Sequence, residues 1–154
     1  MSGENQSISK VNFSYCANNA LDITNSTSID ISDCTFIANG GSSVVGNNVL
    51  QGSLNNVRCE WSNWNGFRTP SFGSIEFSKS SHISLQDIIV ANSRSTGILF
   101  YPNCSNVSIS KLYSCDNYAF GLSYEMSSGL SLVDAIFARN GRSEEHTSEL
   151  QSPC

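Results

Sequence analysis

Between Ile83 and Gly141 the chain repeats itself. Ile83-Ser84-Leu85-Gln86-Asp87-Ile88, Val107-Ser108-Ile109-Ser110-Lys111-Leu112 and Leu130-Ser131-Leu132-Val133-Asp134-Ala135 each run apolar, Ser, apolar, a largely polar pair, then a small or apolar residue. Ile83 and Val107 are 24 positions apart, Val107 and Leu130 are 23 apart, and Asn92, Asn117 and Asn140 come after them at nearly constant offset. A Gly opens the next apolar run at Gly97 and Gly121. A period in the twenties means stacked coils, each burying its apolar face against its neighbours.

The repeat extends backwards. Ile29-Asp30-Ile31-Ser32-Asp33-Cys34-Thr35-Phe36, leading to Asn39-Gly40-Gly41, aligns without a gap on Val107–Asn117 and on Leu130–Asn140, which puts Cys34 in the apolar column of Leu112 and Ala135. A first coil is expected over Val11 to Ser28, with Val11, Phe13, Leu21 and Ile23 inward, while residues 1–10 give no assignment. A third coil carries Val57, Cys59 and Trp61 inward by alternation. Ile29 to Ile83 spans 54 positions for two coils, so an excess loops out between Gly40 and Phe72, where Pro70 suits a loop. The second strand of each coil aligns as Ile75-Glu76-Phe77, Ile98-Leu99-Phe100 and Leu122-Ser123-Tyr124, first and third residues inward. The rows Glu76/Leu99/Ser123 and Ser78/Tyr101/Glu125 then face solvent. Asn39, Asn92, Asn117 and Asn140, with Asn63 or Asn65 between, can form an amide ladder, since each amide carries donor and acceptor. Asn and Gly also tolerate the left-handed turns that coils need. The L-x-x-L-x-L frame of a leucine-rich horseshoe is missing. The expected fold is all-β: a right-handed parallel β-helix of about six coils with a period of roughly 23–27 residues.

Composition fits that fold. Charged residues make up 14%, so solubility rests on hydroxyls and amides, and 39% apolar residues suffice for a core. No run is long enough for a membrane span, and Met1 to Gln6 shows no signal-peptide pattern. Arg142 to Ser152 reads like the translation of a sequencing adapter, so residues 142–154 are expected to be a non-native, disordered tail behind a β-helix fragment at 1–141, with the native protein continuing past Gly141. The tail holds Arg142 against Glu144, Glu145 and Glu149, so the chain's −5 leaves −3 for the rest. That acidity, without any Lys/Arg cluster, argues against nucleic acid. Cys16, Cys34, Cys59, Cys104 and Cys115 lack C-x-x-C spacing, so no metal site is expected and buried thiols are favoured over disulfides. Asn5, Asn12, Asn25, Asn103 and Asn106 begin N-x-[S/T] sequons, which permit glycosylation in a eukaryotic secretory route or arise by chance in an Asn- and Ser-rich chain.

Phrases such as Gly97-Ile98-Leu99-Phe100, Asn103-Cys104-Ser105-Asn106-Val107-Ser108-Ile109, Gly121-Leu122-Ser123-Tyr124-Glu125-Met126-Ser127 and Ala138-Arg139-Asn140-Gly141 resemble right-handed parallel β-helix repeat proteins of the pectate-lyase-like superfamily, over nearly all of residues 8–141. The resemblance implies an extracellular or cell-surface protein that acts on or binds polysaccharide, as a lyase- or hydrolase-like scaffold; the alternative is a non-catalytic structural or adhesive stalk. Hydrolysis needs paired carboxylates and elimination needs a base. Glu76, Tyr101 and Glu125 are the catalytic candidates; Trp64, Arg68, Arg94 and Asp116 are the substrate-binding ones. Each has a plainer reading: Glu76 and Glu125 as solvated strand residues, Arg94 and Asp116 as polar turns, Trp61 as core, His82 as a solvated turn residue. The polygalacturonase-like Asn-Thr-Asp, Asp-Asp, Gly-His-Gly and Arg-Ile-Lys pattern is absent, as is an Asp-rich calcium cluster, so no cofactor is expected and Ca²⁺ has no visible motif behind it.

Overall fold

A computed structural model describes residues 3–65 and 71–141. The described residues form strands and no helix: β1 (Gln6–Ser9), β2 (Asn12–Ser14), β3 (Leu21–Ser26), β4 (Ile29–Ile37), β5 (Val44–Val49), β6 (Gly52–Glu60), β7 (Gly73–Ser78), β8 (Ser81–Ala91), β9 (Thr96–Phe100), β10 (Ser105–Cys115), β11 (Leu122–Tyr124) and β12 (Ser128–Ala138). Every pairing is parallel. The longer strands make one sheet in the order β1-β4-β6-β8-β10-β12, with β2 also on β4; the shorter ones make a second, β11-β9-β7-β5-β3. From β2 onward, consecutive strands alternate between the two sheets, giving a solenoid of about six coils.

The expected register holds. Val107 pairs with Ile83 and Leu130, and Cys34, Val57, Ile88, Leu112 and Ala135 share one column. The excess is localised. Ile37 to Glu60 and Gly73 to Thr96 are paired steps of 23 residues, but Glu60 to Ala91 is a step of 31, so eight extra residues lie between Glu60 and Gly73.

The long strands, 9 to 11 residues from β4 on, each carry a left-handed residue in the middle. Asp33, Asn56, Asp87, Lys111 and Asp134 occupy that column with φ between 52° and 54°, and Lys10 holds the same place in the first coil at 57°. The turn shifts the alternation by one, so inward residues run Ile29, Ile31, then Cys34, Phe36. In the first coil the register sets Val11 beside the inward Cys34 as expected, but this end coil leaves it 37% exposed, while Phe13 stacks on Phe36 at 4.7 Å. The coil begins earlier than expected, at β1, whose Ile8 packs against the core.

Inside, columns of like side chains run along the axis. Ile31, Leu54, Leu85 and Ile109 stack in one, each 1% exposed or less, and burying such a side chain stabilises by roughly 1.5–3 kcal/mol. Phe77 and Phe100 stack at 5.8 Å, and Phe77 fills the space over Gly46, where an added Cβ would lie 2.3 Å from its ring. Cys16, Cys34, Cys59 and Cys104 are free thiols, and burial pushes Cys59 up to about 12, so it is an inert small hydrophobe. Cys115 departs from the expected thiol: it is disulfide-bonded. In β12, Leu130, Leu132 and Phe137 keep 37–45% exposure, because β12 pairs on one side only, with β10.

Candidate functional site

Two corners run the length of the solenoid. At the first, each long strand hands over to a short one; at the second, each short strand hands over to the next long one. The first corner is lined inside by polar side chains. Asn117 Oδ1 accepts from the Ser93 amide at 3.1 Å, and Asn117 Nδ2 donates to Ser114 Oγ at 3.0 Å and to Asn140 Oδ1 at 2.9 Å. Asn39 takes the same place in the second coil, accepting from the Cys16 amide at 3.1 Å. Its Nδ2 has no partner, because the residue three before it is Phe36 where Asn117 has Ser114. Asn92 is not a rung. It sits one position earlier, in a left-handed turn with φ 56°, and Ser62 and Ser93 fill the ladder column.

The eight-residue excess turns this corner outward. The Asn63, Trp64 and Asn65 amides donate to the carbonyls of Gly41, Asn39 and Gly40 at 2.8, 3.2 and 3.0 Å. Asn65 Nδ2 then reaches across to the Ala17 carbonyl at 2.9 Å. That bridge passes over Gly40, where a Cβ would lie 2.1 Å from the Ala17 oxygen and 2.5 Å from Asn65 Nδ2, so only glycine fits. Trp64 is thereby presented at 51% exposure. Trp61 is expected in the core by alternation; instead its φ of 57° turns it outward to 45% exposure, edge-on to Trp64 at 6.4 Å. Arg94 donates from Nη1 to the Trp64 carbonyl at 3.0 Å and lays its guanidinium 4.4 Å over the ring, a cation–π contact. Tyr15, Phe72 and Phe120 are exposed at the same corner, at 81%, 48% and 58%. Sequence reading missed these three, since an exposed aromatic is recognisable only once the coils are stacked. Asp116, also at this corner, is occupied by Arg139 in a bidentate pair at 2.9 and 2.7 Å. Arg68 lies outside the described residues.

The catalytic candidates sit on the outer face of the short-strand sheet. The pairing of Ile98 with Leu122 and Ile75 is as expected, but Glu76 and Leu99 do not face solvent; they are 7% and 1% exposed. The reason is cover from the same corner. Ser42 Oγ donates to Glu76 Oε1, the Tyr101 hydroxyl donates to the Ser71 carbonyl, and Gly73 packs over Leu99. Burial holds the Glu76 carboxyl above its ordinary range, with Asp22 pushing the same way; hydrogen bonds from Ser42 and the Gly73 backbone pull it down. Burial also raises the Tyr101 phenol, and the adjacent Glu76 charge adds to it. A phenol held protonated is poorly suited to serve as a base. Glu125 is exposed, accepting from Ser123 Oγ at 3.3 Å, and its charge adds to the rise at the neighbouring Tyr101. The structure thus joins Glu76 to Tyr101 behind a cover and joins Trp64 to Arg94 in the open.

Glu76 makes stability depend on pH. The fold favours its protonated form relative to the unfolded chain, so its contribution is complete below the unfolded value and is lost as pH rises through the folded one. The thermal midpoint is therefore expected to fall as pH rises just above 4.5, and Glu76→Gln should flatten that fall when melting curves are compared across pH. An unchanged slope in the variant would mean that the carboxyl is not buried as described.

Among the described residues, no group of three or more His, Cys, Asp and Glu is placed to hold a metal ion, and no helix is long and apolar enough to cross a membrane. A family model for a right-handed β-helix region matches residues 1–146. No curated protein and no solved structure matches the chain.

Proposed function

The chain belongs to the right-handed β-helix family, and on that scaffold we propose that it binds polysaccharide along the aromatic first corner, at the cell surface or outside the cell. The observation that carries this reading is the Trp61–Trp64 pair, half exposed and fixed by backbone hydrogen bonds, with Arg94 stacked behind. Exposed apolar rings that are held rigidly cost little entropy to dock, and their flat faces suit the C–H face of a sugar ring. Tyr15, Phe72 and Phe120 extend the strip along the axis, so several sugar units of one chain engage at once and weak contacts add by avidity. Arg94 gives the strip a cation beside its largest ring, which favours sugars bearing a carboxylate.

Binding is preferred over cleavage because Glu76 is enclosed, which leaves Glu125 as the one exposed acid of the candidate set, while the aromatics are open. A structural stalk is the second reading. It is favoured by the solvated outward column Ser53, Ser84, Ser108 and Ser131, which carries no evident chemistry. Affinity electrophoresis in gels containing neutral or uronate polysaccharides separates the two. Wild-type protein should be retarded, and Trp64→Ala should weaken binding roughly tenfold or more, the loss typical of a central aromatic contact. No retardation in any gel would leave the stalk.

A further inference from the structure

The asparagines of the two corners differ in the residues that come after them. Eight lie in the first-corner loops: Asn18, Asn19, Asn39, Asn63, Asn65, Asn92, Asn117 and Asn140. None of the eight begins a sequon, although Ser and Thr are common throughout the chain. Five asparagines hold left-handed positions along the second corner: Asn5, Asn25, Asn48, Asn103 and Asn106, with φ between 50° and 69°. Four of these five begin sequons: Asn5-Gln6-Ser7, Asn25-Ser26-Thr27, Asn103-Cys104-Ser105 and Asn106-Val107-Ser108. Chance in an Asn- and Ser-rich chain would scatter sequons over both corners. Here they collect on one, and the aromatic corner has none.

Geometry makes these four positions tolerant of a large adduct. All four asparagines are exposed. Their contacts are peripheral: Asn25 Oδ1 accepts from Asn48 at 2.8 Å, and the Asn106 amide lies 3.4 Å from His82 Nε2. By contrast, Asn39 and Asn117 at the first corner are fully buried, where a sugar on the amide would split the stack. Asn12, the fifth sequon residue, is on the outer side of β2, away from this row.

We propose that the second corner is an N-glycosylated edge, with Asn5, Asn25, Asn103 and Asn106 as acceptors. The donor class is an oligosaccharide linked through diphosphate to a lipid. The amide Nδ2 attacks the anomeric carbon and loses a proton; the C–N bond forms as the C–O bond to the diphosphate breaks, and the lipid diphosphate leaves. No redox partner is needed. Sugars on this edge shield the solenoid flank opposite the aromatic strip and leave that strip free for ligand. The modification is independent of whether the strip binds polysaccharide.

The test is translation of the full chain behind an endoplasmic-reticulum signal in the presence of microsomes, scoring only the protease-protected fraction. Three or four gel steps are expected, collapsing to one band on treatment with an amidase that removes N-linked glycans. Asn5→Gln and Asn25→Gln should each remove one step, and the double variant Asn103→Gln/Asn106→Gln one or two. A protected chain with two steps or fewer overturns the proposal, as does a ladder that the four substitutions leave unchanged. Melting the glycosylated and enzymatically stripped forms gives a second readout: equal or higher midpoints with sugar support a tolerant edge, and a lower midpoint contradicts it.

Discussion

Phe77→Ala is expected to destabilise the fold by about 3–5 kcal/mol, the usual cost of emptying an aromatic site in a packed core. Phe77 is fully buried, stacks on Phe100, and lies where Gly46 leaves room. Gly46 has no side chain with which to refill the hole, so the site should collapse poorly and the cost should fall in the upper part of that range. Domains of ordinary size are stable by only about 5–15 kcal/mol, so the variant should approach unfolding at moderate temperature. Denaturant unfolding measures the loss directly. A change below about 1 kcal/mol would mean that Phe77 is not in the interior column and that the short-strand register is wrong.

The second large effect is expected at Asn117. Its side chain serves the Ser93 amide, Ser114 Oγ and Asn140 Oδ1, all on the inside of the first corner. Asn117→Ala strands the Ser93 amide, and a buried polar group left without a partner costs about 1–3 kcal/mol. It also loses the bonds to Ser114 Oγ and Asn140 Oδ1, which keep the Gly121 carbonyl and the residue 117 backbone amide as partners. Asn39→Ala is a matched comparison, since Asn39 Nδ2 already lacks a partner and only the bond from the Cys16 amide is lost. The cost at Asn117 should therefore exceed that at Asn39 clearly in parallel denaturation curves. Equal losses would show that the ladder contributes nothing beyond filling space.

Much of this architecture is readable in the chain because stacking forces like residues into columns. Ile83, Val107 and Leu130 announce the register, Cys34 falls where alignment puts it, and the 54-position interval betrays the extra residues. The features that stay hidden have a common cause. Left-handed residues such as Lys10, Trp61 and Arg139 are not Gly, and only some are Asn or Asp, so no residue type marks the turn. Each one flips the alternation, which is why Trp61 is expected inward and lies outside. Asn92 reads as a rung because Asn suits both a ladder and a left-handed turn; the structure gives it the turn and leaves the rung to Ser93.

The candidate site is legible by halves. Trp64 and Arg94 each stand out in the sequence, but nothing in their 30-residue separation shows that the guanidinium stacks on the indole. Glu76, Tyr101 and Glu125 align correctly on one outer face, yet strand alternation says nothing about a neighbouring loop. Ser42, Ser71 and Gly73 supply the cover, so the burial of Glu76 is a tertiary effect invisible to local pattern. The aromatic strip likewise draws Tyr15, Phe72 and Phe120 from three separate coils.

Both tryptophans of the chain stand on the aromatic corner, so their emission reports on that edge alone. Titrating a retained polysaccharide while following tryptophan fluorescence, with calorimetry in parallel, is the most direct test of where ligand sits. The expected result is a saturable change in emission that tracks the heat of binding, is lost in Trp64→Ala and survives in Glu76→Gln. Binding heat without an emission change, or binding abolished by Glu76→Gln alone, would contradict the account and move the site to the Glu76–Tyr101 face.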